Sequence, residues 1–209
     1  MHQYNASTGI SAIVFDFGGV LMDWNPRNLY RKLFNGDDMA MENFLTNVCT
    51  EEWIRQQDLG LPVAEAVAQL VLRFPDQAPL IEAYDKRWPE ILAGPIDDSI
   101  SVLTELRQHG VPLYGLTNLP GEKFPALKEH LDFLELFEAV VVSGAVGIAK
   151  PDAEIYTHLL KTCFLTPEST LYIDDVLENV EGAMALGLPA LQFVSPAKLR
   201  SDLVELALL

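Results

Sequence analysis

Short apolar runs and helical patterns alternate over the second half of the chain. Runs of strand length occupy residues 111–116, 139–142, 170–173 and 190–193, and another occupies residues 13–15 near the start. Between the later runs, apolar residues recur at intervals of three and four, which is the spacing of one helix face. Runs without polar alternation are typical of strands buried on both faces of a sheet. The alternation therefore predicts an α/β fold built on a doubly wound parallel sheet.

Residues 24–94 interrupt this alternation. They carry helical patterns at 29–34, 41–48, 63–74 and 80–88, and we predict no strand among them. An all-helical insert after the first strand is expected to cover the carboxyl edge of the sheet, where open α/β sheets bind ligands. The prediction is a core domain of residues 10–23 and 95–209, with a small helical cap domain of residues 24–94.

Polar residues follow the predicted strands of the core. Six of them come directly after a strand or in the loop beyond it: Asp16, Thr117, Asn118, Lys150, Asp174 and Asp175. Because the carboxyl ends of parallel strands meet at one edge of a sheet, we expect these side chains to converge. A carboxylate nucleophile, a hydroxyl, an amide, a cation and paired carboxylates are the groups of an aspartyl-phosphate site. Mg²⁺ prefers a few carboxylate ligands with water and substrate oxygens, which fits Asp16 and Asp175.

Each of these residues also has a purely structural interpretation. An Asp after a strand is usually a turn or cap residue, and Asp174 and Asp175 suit the N-terminus of a following helix. Thr117 and Asn118 would serve as an ordinary helix cap, and Lys150 as a solvated loop residue. Agreement among four strand ends favours the catalytic interpretation over these alternatives.

The composition limits the partners. The chain has 30 acidic and 14 basic residues, a formal net charge of −16, which repels nucleic acid and anionic membranes. It also repels a phosphorylated metabolite, unless a bound divalent cation and a lysine reverse the field inside the site. With two cysteines that lack metal or redox spacing and no signal-peptide pattern at the start, we expect a cytoplasmic protein with reduced thiols.

Four segments, in this order, resemble the motifs of the haloacid dehalogenase-like hydrolases. They are IVFDFGGVL at 13–21, LTN at 116–118, KPDAEIY at 150–156 and YIDDVLENVEGA at 172–183. The resemblance covers nearly the whole chain after about residue 9 and implies a Rossmann-like core with a helical cap. In character it is similar to bacterial phosphatases of α-glucose 1-phosphate and to the phosphatase domain of some epoxide hydrolases.

The resemblance implies a role for each matched position. Asp16 matches the nucleophile that forms the phospho-enzyme, and Lys150 the cation that balances nucleophile and phosphate. Thr117 and Asn118 match the pair that holds the transferring phosphoryl group.

The resemblance also implies a Mg²⁺ site. Asp175 matches the metal-binding carboxylate, together with Asp16, and Asp174 either shares the metal or orients its water. At position 18 most phosphatases of this superfamily carry a second Asp as general acid and base, whereas this chain has Gly18. The backbone carbonyl of Gly18 remains able to bind the metal, but the proton-transfer role of the Asp side chain is lost. The substitute base is not identified by the sequence, because the nearest acid, Asp23, is expected to belong to the hinge.

We therefore predict a Mg²⁺-dependent phosphatase acting on a small phosphorylated metabolite, with a sugar phosphate as the expected substrate. A metal-independent 2-haloacid dehalogenase is one alternative, which Gly18 permits and the paired acids Asp174 and Asp175 disfavour. A catalytically weak binding or regulatory protein is the other. In the cap, Arg27, Arg55 and Gln57 are each interpreted either as a substrate contact or as a solvated surface residue. The sequence does not determine the oligomeric state.

Overall fold

The computed structural model describes residues 9–209. Seven strands lie in this part of the chain: β1 (Ala12–Phe15), β2 (Met22–Trp24), β3 (Leu92–Pro95), β4 (Leu113–Thr117), β5 (Ala139–Val142), β6 (Thr170–Asp174) and β7 (Ala190–Gln192). The described α-helices are α1 (Pro26–Leu33), α2 (Asp38–Asn47), α3 (Glu51–Asp58), α4 (Val63–Arg73), α5 (Ala78–Lys86), α6 (Asp97–Gln108), α7 (Phe124–His130), α8 (Ser143–Val146), α9 (Ala153–Thr162), α10 (Leu177–Met184) and α11 (Pro196–Glu205). Among the described residues we find no helix with the length and apolar character that crossing a bilayer requires.

Five of the strands form one parallel sheet in the order β5-β4-β1-β6-β7. The first strand lies at its centre, with Ile13 opposite Leu113 on one side and Leu171 on the other. All four residues of β1 are buried, as its unbroken apolar pattern indicates. The predicted parallel sheet is confirmed, and all five strand bounds agree with the predicted runs to within two residues.

Helices cover both faces of this sheet. Val14 packs in a cluster with Ile155 of α9 and Ala183 of α10. Its neighbours in β1 point to the opposite face, into a cluster that includes Leu103 of α6 and Leu203 of α11. Side chains alternate across a strand, so a strand buried on both faces needs helices on both. This arrangement is the doubly wound α/β core predicted from the sequence.

The other two strands pair antiparallel, with Met22 opposite Pro95 and Asp23 opposite Gly94. The prediction that residues 24–94 contain no strand is wrong at both ends, because Trp24 and Leu92–Pro95 contribute to this small sheet. These strands contain Asp, Gly and Pro, which disfavour strands locally, so their mutual hydrogen bonds and not an apolar run define them.

Helices α1–α5 lie between β2 and β3, in residues 25–91, which we call the cap segment. Four of them correspond to predicted helical patterns. The third, α3, was not among them, because its sequence EEWIRQQD carries few apolar residues. It buries Trp53, Ile54 and Gln57 all the same. The division of the chain into a core and a cap domain stays a prediction.

Candidate active site

Asp16 stands at the carboxyl end of the central strand. Its backbone N–H donates to the carbonyl of Ile173 at 2.9 Å, and the residue is 6% exposed. The chain then turns sharply, with the N–H groups of Leu21 and Met22 both donating to the carbonyl of Phe17 at 2.8 and 2.9 Å. The turn holds the Asp16 side chain at the edge of the sheet where the neighbouring strands also end.

Gly19 in this turn has a φ of +74°, the left-handed region that favours glycine. A Cβ at this position would lie 2.2 Å from Oδ2 of Asp175, so the carboxylate occupies the space that a side chain would need. Gly19 thus allows the loops after β1 and β6 to approach one another. This contact brings Asp175 beside Asp16.

The Lys150 side chain is buried between two carboxylates. Its Nζ lies 2.7 Å from Oδ1 of Asp16 and 2.8 Å from Oδ2 of Asp174, and it donates to the carbonyl of Leu116 at 3.2 Å. Burial by itself would lower the pKa of Lys150, but the charges of Asp16 and Asp174 together outweigh it and raise the pKa. The lysine is therefore a charged ammonium, and the solvated-loop interpretation of Lys150 is wrong.

The backbone of Lys150 is held by two side chains. Oδ1 of Asn118 accepts from the Lys150 N–H at 2.9 Å, and Nδ2 of Asn118 donates to the Lys150 carbonyl at 3.1 Å. From the cap segment, Nη1 of Arg55 donates to the same carbonyl at 2.9 Å. Both polar atoms of Asn118 are thus used in positioning Lys150, and its predicted contact with a phosphoryl group stays a prediction.

Asp174 is fully buried and its carboxylate accepts several hydrogen bonds besides that of Lys150. The Val176 N–H donates to Oδ1 at 2.9 Å, Nδ2 of Asn179 lies 3.0 and 3.1 Å from the two oxygens, and the hydroxyl of Tyr172 donates to Oδ2. This network makes Asp174 the anchor of the Lys150 ammonium. Tyr172 and Asn179 were not predicted in this role, although Tyr172 lies two residues before Asp174, on the same face of β6.

Asp16, Asp174 and Asp175 together form an all-oxygen cluster that fits a hard divalent cation. One carboxylate oxygen from each lies within 4.8 Å of the others. Burial raises the pKa of Asp16 and of Asp175, and the charge of Asp174 raises both further, while Lys150 opposes the shifts. Because the oxygens of Asp174 are engaged by the network above, Asp16 and Asp175 are the carboxylates better placed to bind a metal.

A cavity of about 760 Å³ opens above these residues. It is lined by every site residue predicted from the sequence except Asp174: Asp16, Gly18, Thr117, Asn118, Lys150 and Asp175. The predicted convergence of residues from four strand ends is thus present in the fold. The cap segment contributes an apolar lining to the same cavity from Pro26, Leu45, Ile54 and Tyr84, and Trp24 of β2 adds to it.

The three cap residues with two possible interpretations, substrate contact or surface position, lie in different environments. Arg27 lines the cavity and pairs with Glu42, with Nη2 2.7 Å from Oε2. Arg55 joins the cap segment to the core through Lys150 and through Asp152, whose Oδ2 lies 3.0 Å from Nη2. Gln57 is fully buried inside the cap segment and donates to the Trp53 carbonyl at 3.2 Å.

Known proteins with related sequences include several phosphatases. Residues 10–187 match the haloacid dehalogenase-like hydrolase family. A sesquiterpene phosphatase of Aspergillus oryzae is 30% identical over 88% of this chain and 90% of its own length. A phosphatase of phosphorylated carbohydrates from Thermotoga maritima is 26% identical over 86% of this chain and 82% of its own.

Solved structures share the fold. An enzyme of the same family from Bacteroides thetaiotaomicron, in complex with magnesium, superposes with a TM-score of 0.69 at 21% identity, over 88% of this chain and 93% of that one. Another relative, from Porphyromonas gingivalis, gives a TM-score of 0.70 at 22% identity, over 92% and 98% of the two chains.

Proposed function

The chain belongs to the haloacid dehalogenase-like hydrolases, and from this premise we propose that it is a Mg²⁺-dependent phosphatase whose nucleophile is Asp16. The family resemblance inferred from the four motifs is confirmed by this membership. The observation that carries the proposal is the Lys150 ammonium, 2.7 Å from Asp16 and 2.8 Å from Asp174, beside a cluster of three carboxylates. A charge-balanced carboxylate at the base of a cavity is suited to attack phosphorus.

In the proposed reaction an oxygen of Asp16 attacks the phosphorus in line with the ester oxygen. The bond from phosphorus to the ester oxygen breaks and the alcohol leaves, which produces an aspartyl phosphate. Water then attacks the phosphorus, the bond to Asp16 breaks, and inorganic phosphate is released. Lys150 stabilises the charge on the phosphoryl oxygens and Thr117 completes their binding site, while the Asn118 side chain supports this site by positioning Lys150.

The proposed metal ligands are the carboxylates of Asp16 and Asp175 and the carbonyl of Gly18. Mg²⁺ bound there supplies positive charge to the nucleophile and to the phosphoryl oxygens. The same charge offsets the field of an acidic protein on an anionic substrate. Asp174 in this scheme holds Lys150 instead of the metal, since its oxygens already accept hydrogen bonds from Lys150, Tyr172 and Asn179.

The alternatives are less well supported. A 2-haloacid carries its own carboxylate, and three clustered carboxylates without a metal would repel it. Burying an ammonium beside Asp16 costs free energy because both charges lose their hydration. Catalysis explains this cost, whereas a binding protein without turnover has no need of the pair.

Two candidates for the organic group of the substrate have support. The sequence predicts a sugar phosphate, and the relative that acts on phosphorylated carbohydrates supports this candidate. The apolar lining from Leu45, Ile54 and Tyr84 favours a larger apolar group, because burying apolar surface stabilises a ligand by about 25 cal/mol per Å². The sesquiterpene phosphatase relative supports this second candidate, and we propose an isoprenoid-type phosphate as the preferred substrate class.

A panel of phosphate esters tests the proposal. Wild type and Asp16→Asn are assayed for phosphate release from farnesyl phosphate, glucose 1-phosphate and phosphoglycolate, with Mg²⁺ or with a chelator. We expect release by wild type only with Mg²⁺, and a loss of about 10³-fold or more in Asp16→Asn, because no other group forms the covalent intermediate.

The control is Asp76→Asn, which makes the same change at an exposed position of the cap segment. Full activity of Asp16→Asn would contradict the mechanism, and halide release from a 2-haloacid in chelator would favour the dehalogenase. Equal kcat/KM for farnesyl and glucose phosphates would contradict the proposed substrate class but not the phosphatase mechanism. The cytoplasmic location and the lack of nucleic-acid and membrane partners stay predictions.

A further inference from the structure

The proposed phosphatase reaction needs a side chain that donates and accepts protons. The alcohol leaves as an alkoxide unless it is protonated, and the attacking water must lose a proton. In the part of the chain that the structure describes, the cavity is lined by no histidine and by five carboxyl groups: Asp16, Glu51, Glu52, Asp58 and Asp175. Asp16 and Asp175 have other roles, and Glu51 and Glu52 are exposed.

Asp58 is placed in the cavity by the geometry of α3. Residues Glu51, Ile54 and Asp58 are spaced three and four apart, so they share one face of this helix, and all of them line the cavity. Trp53 and Gln57 belong to the adjacent face of the helix, which is buried inside the cap segment. The helix therefore presents a carboxyl group at its last position to the same space as Asp16.

The end of α3 that carries Asp58 is fixed to the core beside Lys150. Arg55, one turn earlier, bonds the carbonyl of Lys150 at 2.9 Å and Oδ2 of Asp152 at 3.0 Å. Just beyond Asp58, a Cβ on Gly60 would lie 3.2 Å from the carbonyl oxygen of Gly144 in α8, which shows how closely the two segments pack. A proton donor needs a fixed position, and these contacts supply it.

The surroundings of Asp58 suit exchange of a proton near neutral pH. Burial raises the pKa of Asp58 to about 7, although the nearby charges of Lys150 and Arg55 act to lower it. Tyr84 lines the same cavity, and burial together with the charge of Asp58 raises the pKa of Tyr84. With a pKa close to the working pH, a group is populated in both its acid and its base form.

We propose that Asp58 is the catalytic acid and base of this enzyme, in place of the residue that Gly18 lacks. The inference rests on the proposed function. In the first half-reaction, protonated Asp58 gives its proton to the ester oxygen as the bond from phosphorus breaks, which releases a neutral alcohol. In the second, the Asp58 carboxylate takes a proton from the water that attacks the aspartyl phosphate, and the protonated acid is restored.

Comparing two leaving groups in Asp58→Asn tests this role. For an alkyl phosphate, whose leaving oxygen needs a proton, we expect kcat/KM to fall by about 10²–10⁴-fold. For p-nitrophenyl phosphate, whose leaving group departs as an anion, we expect a much smaller loss in kcat/KM. Hydrolysis of the aspartyl phosphate still needs the base, so Asp58→Asn is expected to release a rapid burst of one nitrophenolate per enzyme before slow turnover.

The pH profile is a second readout. The wild-type kcat/KM for the alkyl phosphate is expected to fall above about pH 7, because Asp58 loses its proton there, and Asp58→Asn is expected to lack that alkaline limb. A third readout is rescue by Gly18→Asp in the Asp58→Asn background. A Cβ at Gly18 would lie 3.6 Å from Cβ of Trp24, an ordinary contact, so a side chain can begin at this position without a clash.

The outcomes separate this inference from the proposed function. Equal losses for both leaving groups, with no burst, would overturn the role of Asp58 and indicate a structural effect. No phosphate release by wild type from any ester would instead overturn the proposed function. Asp76→Asn is the matched control, and Asp58→Ser gives the same comparison if Asp58→Asn does not fold.

Discussion

At the scale of single residues, the site depends on one buried cation shared by two acids. Removing the charge in Lys150→Met leaves Asp16 and Asp174 unpaired in the interior, where an unpaired partner of a buried ion pair typically costs about 3–5 kcal/mol. We expect the free energy of unfolding to fall by about that amount at pH 9.5 and by less at pH 6, because burial raises the pKa of Asp16 to about 8 and acid then protonates this carboxylate. Urea unfolding at the two pH values measures it.

The control for this substitution is Lys128→Met, which removes an exposed lysine of α7 and is expected to leave the unfolding free energy within about 0.5 kcal/mol of wild type. The same loss at both pH values would show that packing and not charge pairing accounts for the effect. If Lys150→Met is as stable as wild type, the conclusion that Lys150 is a charged ammonium paired in the interior is contradicted.

At the scale of elements, α3 connects the cap segment to the loop that carries Lys150, through Arg55. In Arg55→Gln we expect kcat/KM to fall by about 10-fold or more, because small displacements of catalytic groups reduce rates steeply. The unfolding free energy is expected to change by less than about 1 kcal/mol, since part-exposed ion pairs contribute little to stability. Steady-state kinetics and urea unfolding on the same preparation separate the two effects.

Arg31→Gln is the matched control at this scale. Arg31 pairs with Asp38 at 3.1 Å on the surface of the cap segment, away from the cavity lining, so activity is expected to be unchanged. If Arg31→Gln and Arg55→Gln lose activity equally, the contact between α3 and the Lys150 loop has no special role.

At the scale of the whole molecule, a net charge of −16 opposes the approach of an anionic substrate. Raising the ionic strength from about 0.01 to about 0.15 M shortens the Debye length from about 30 to about 8 Å, which screens this repulsion. With Mg²⁺ saturating at each salt concentration, we expect kcat/KM to rise several-fold and kcat to stay nearly constant. A fall in kcat/KM with salt would instead indicate local attraction of the substrate by the site.

Much of the core follows from local sequence pattern. Apolar runs and helical spacing predict the five parallel strands and the helices on both faces, because a buried strand and an amphipathic helix each have a periodicity visible in one segment. Asp16, Lys150 and Asp175 are predicted for a related reason. Each directly follows a strand or lies in the loop beyond it, and parallel topology brings those ends to one edge.

Other features depend on contacts between distant segments. The strands β2 and β3 form because each supplies hydrogen bonds to the other, over 60 residues away in the chain. The positioning roles of Asn118, Tyr172 and Asn179 depend on which atoms meet in the folded interior.

The parallel core, the acidic character of the molecule and the set of residues at the strand ends are all readable from the sequence, because they follow from local periodicity, composition and topology. The anchoring of Lys150 by Asp174 and the position of α3 over the site, with Asp58 in the cavity, emerge only in the folded protein. Burial and the neighbouring charges set the state of an ionisable side chain, and both depend on residues far away in sequence.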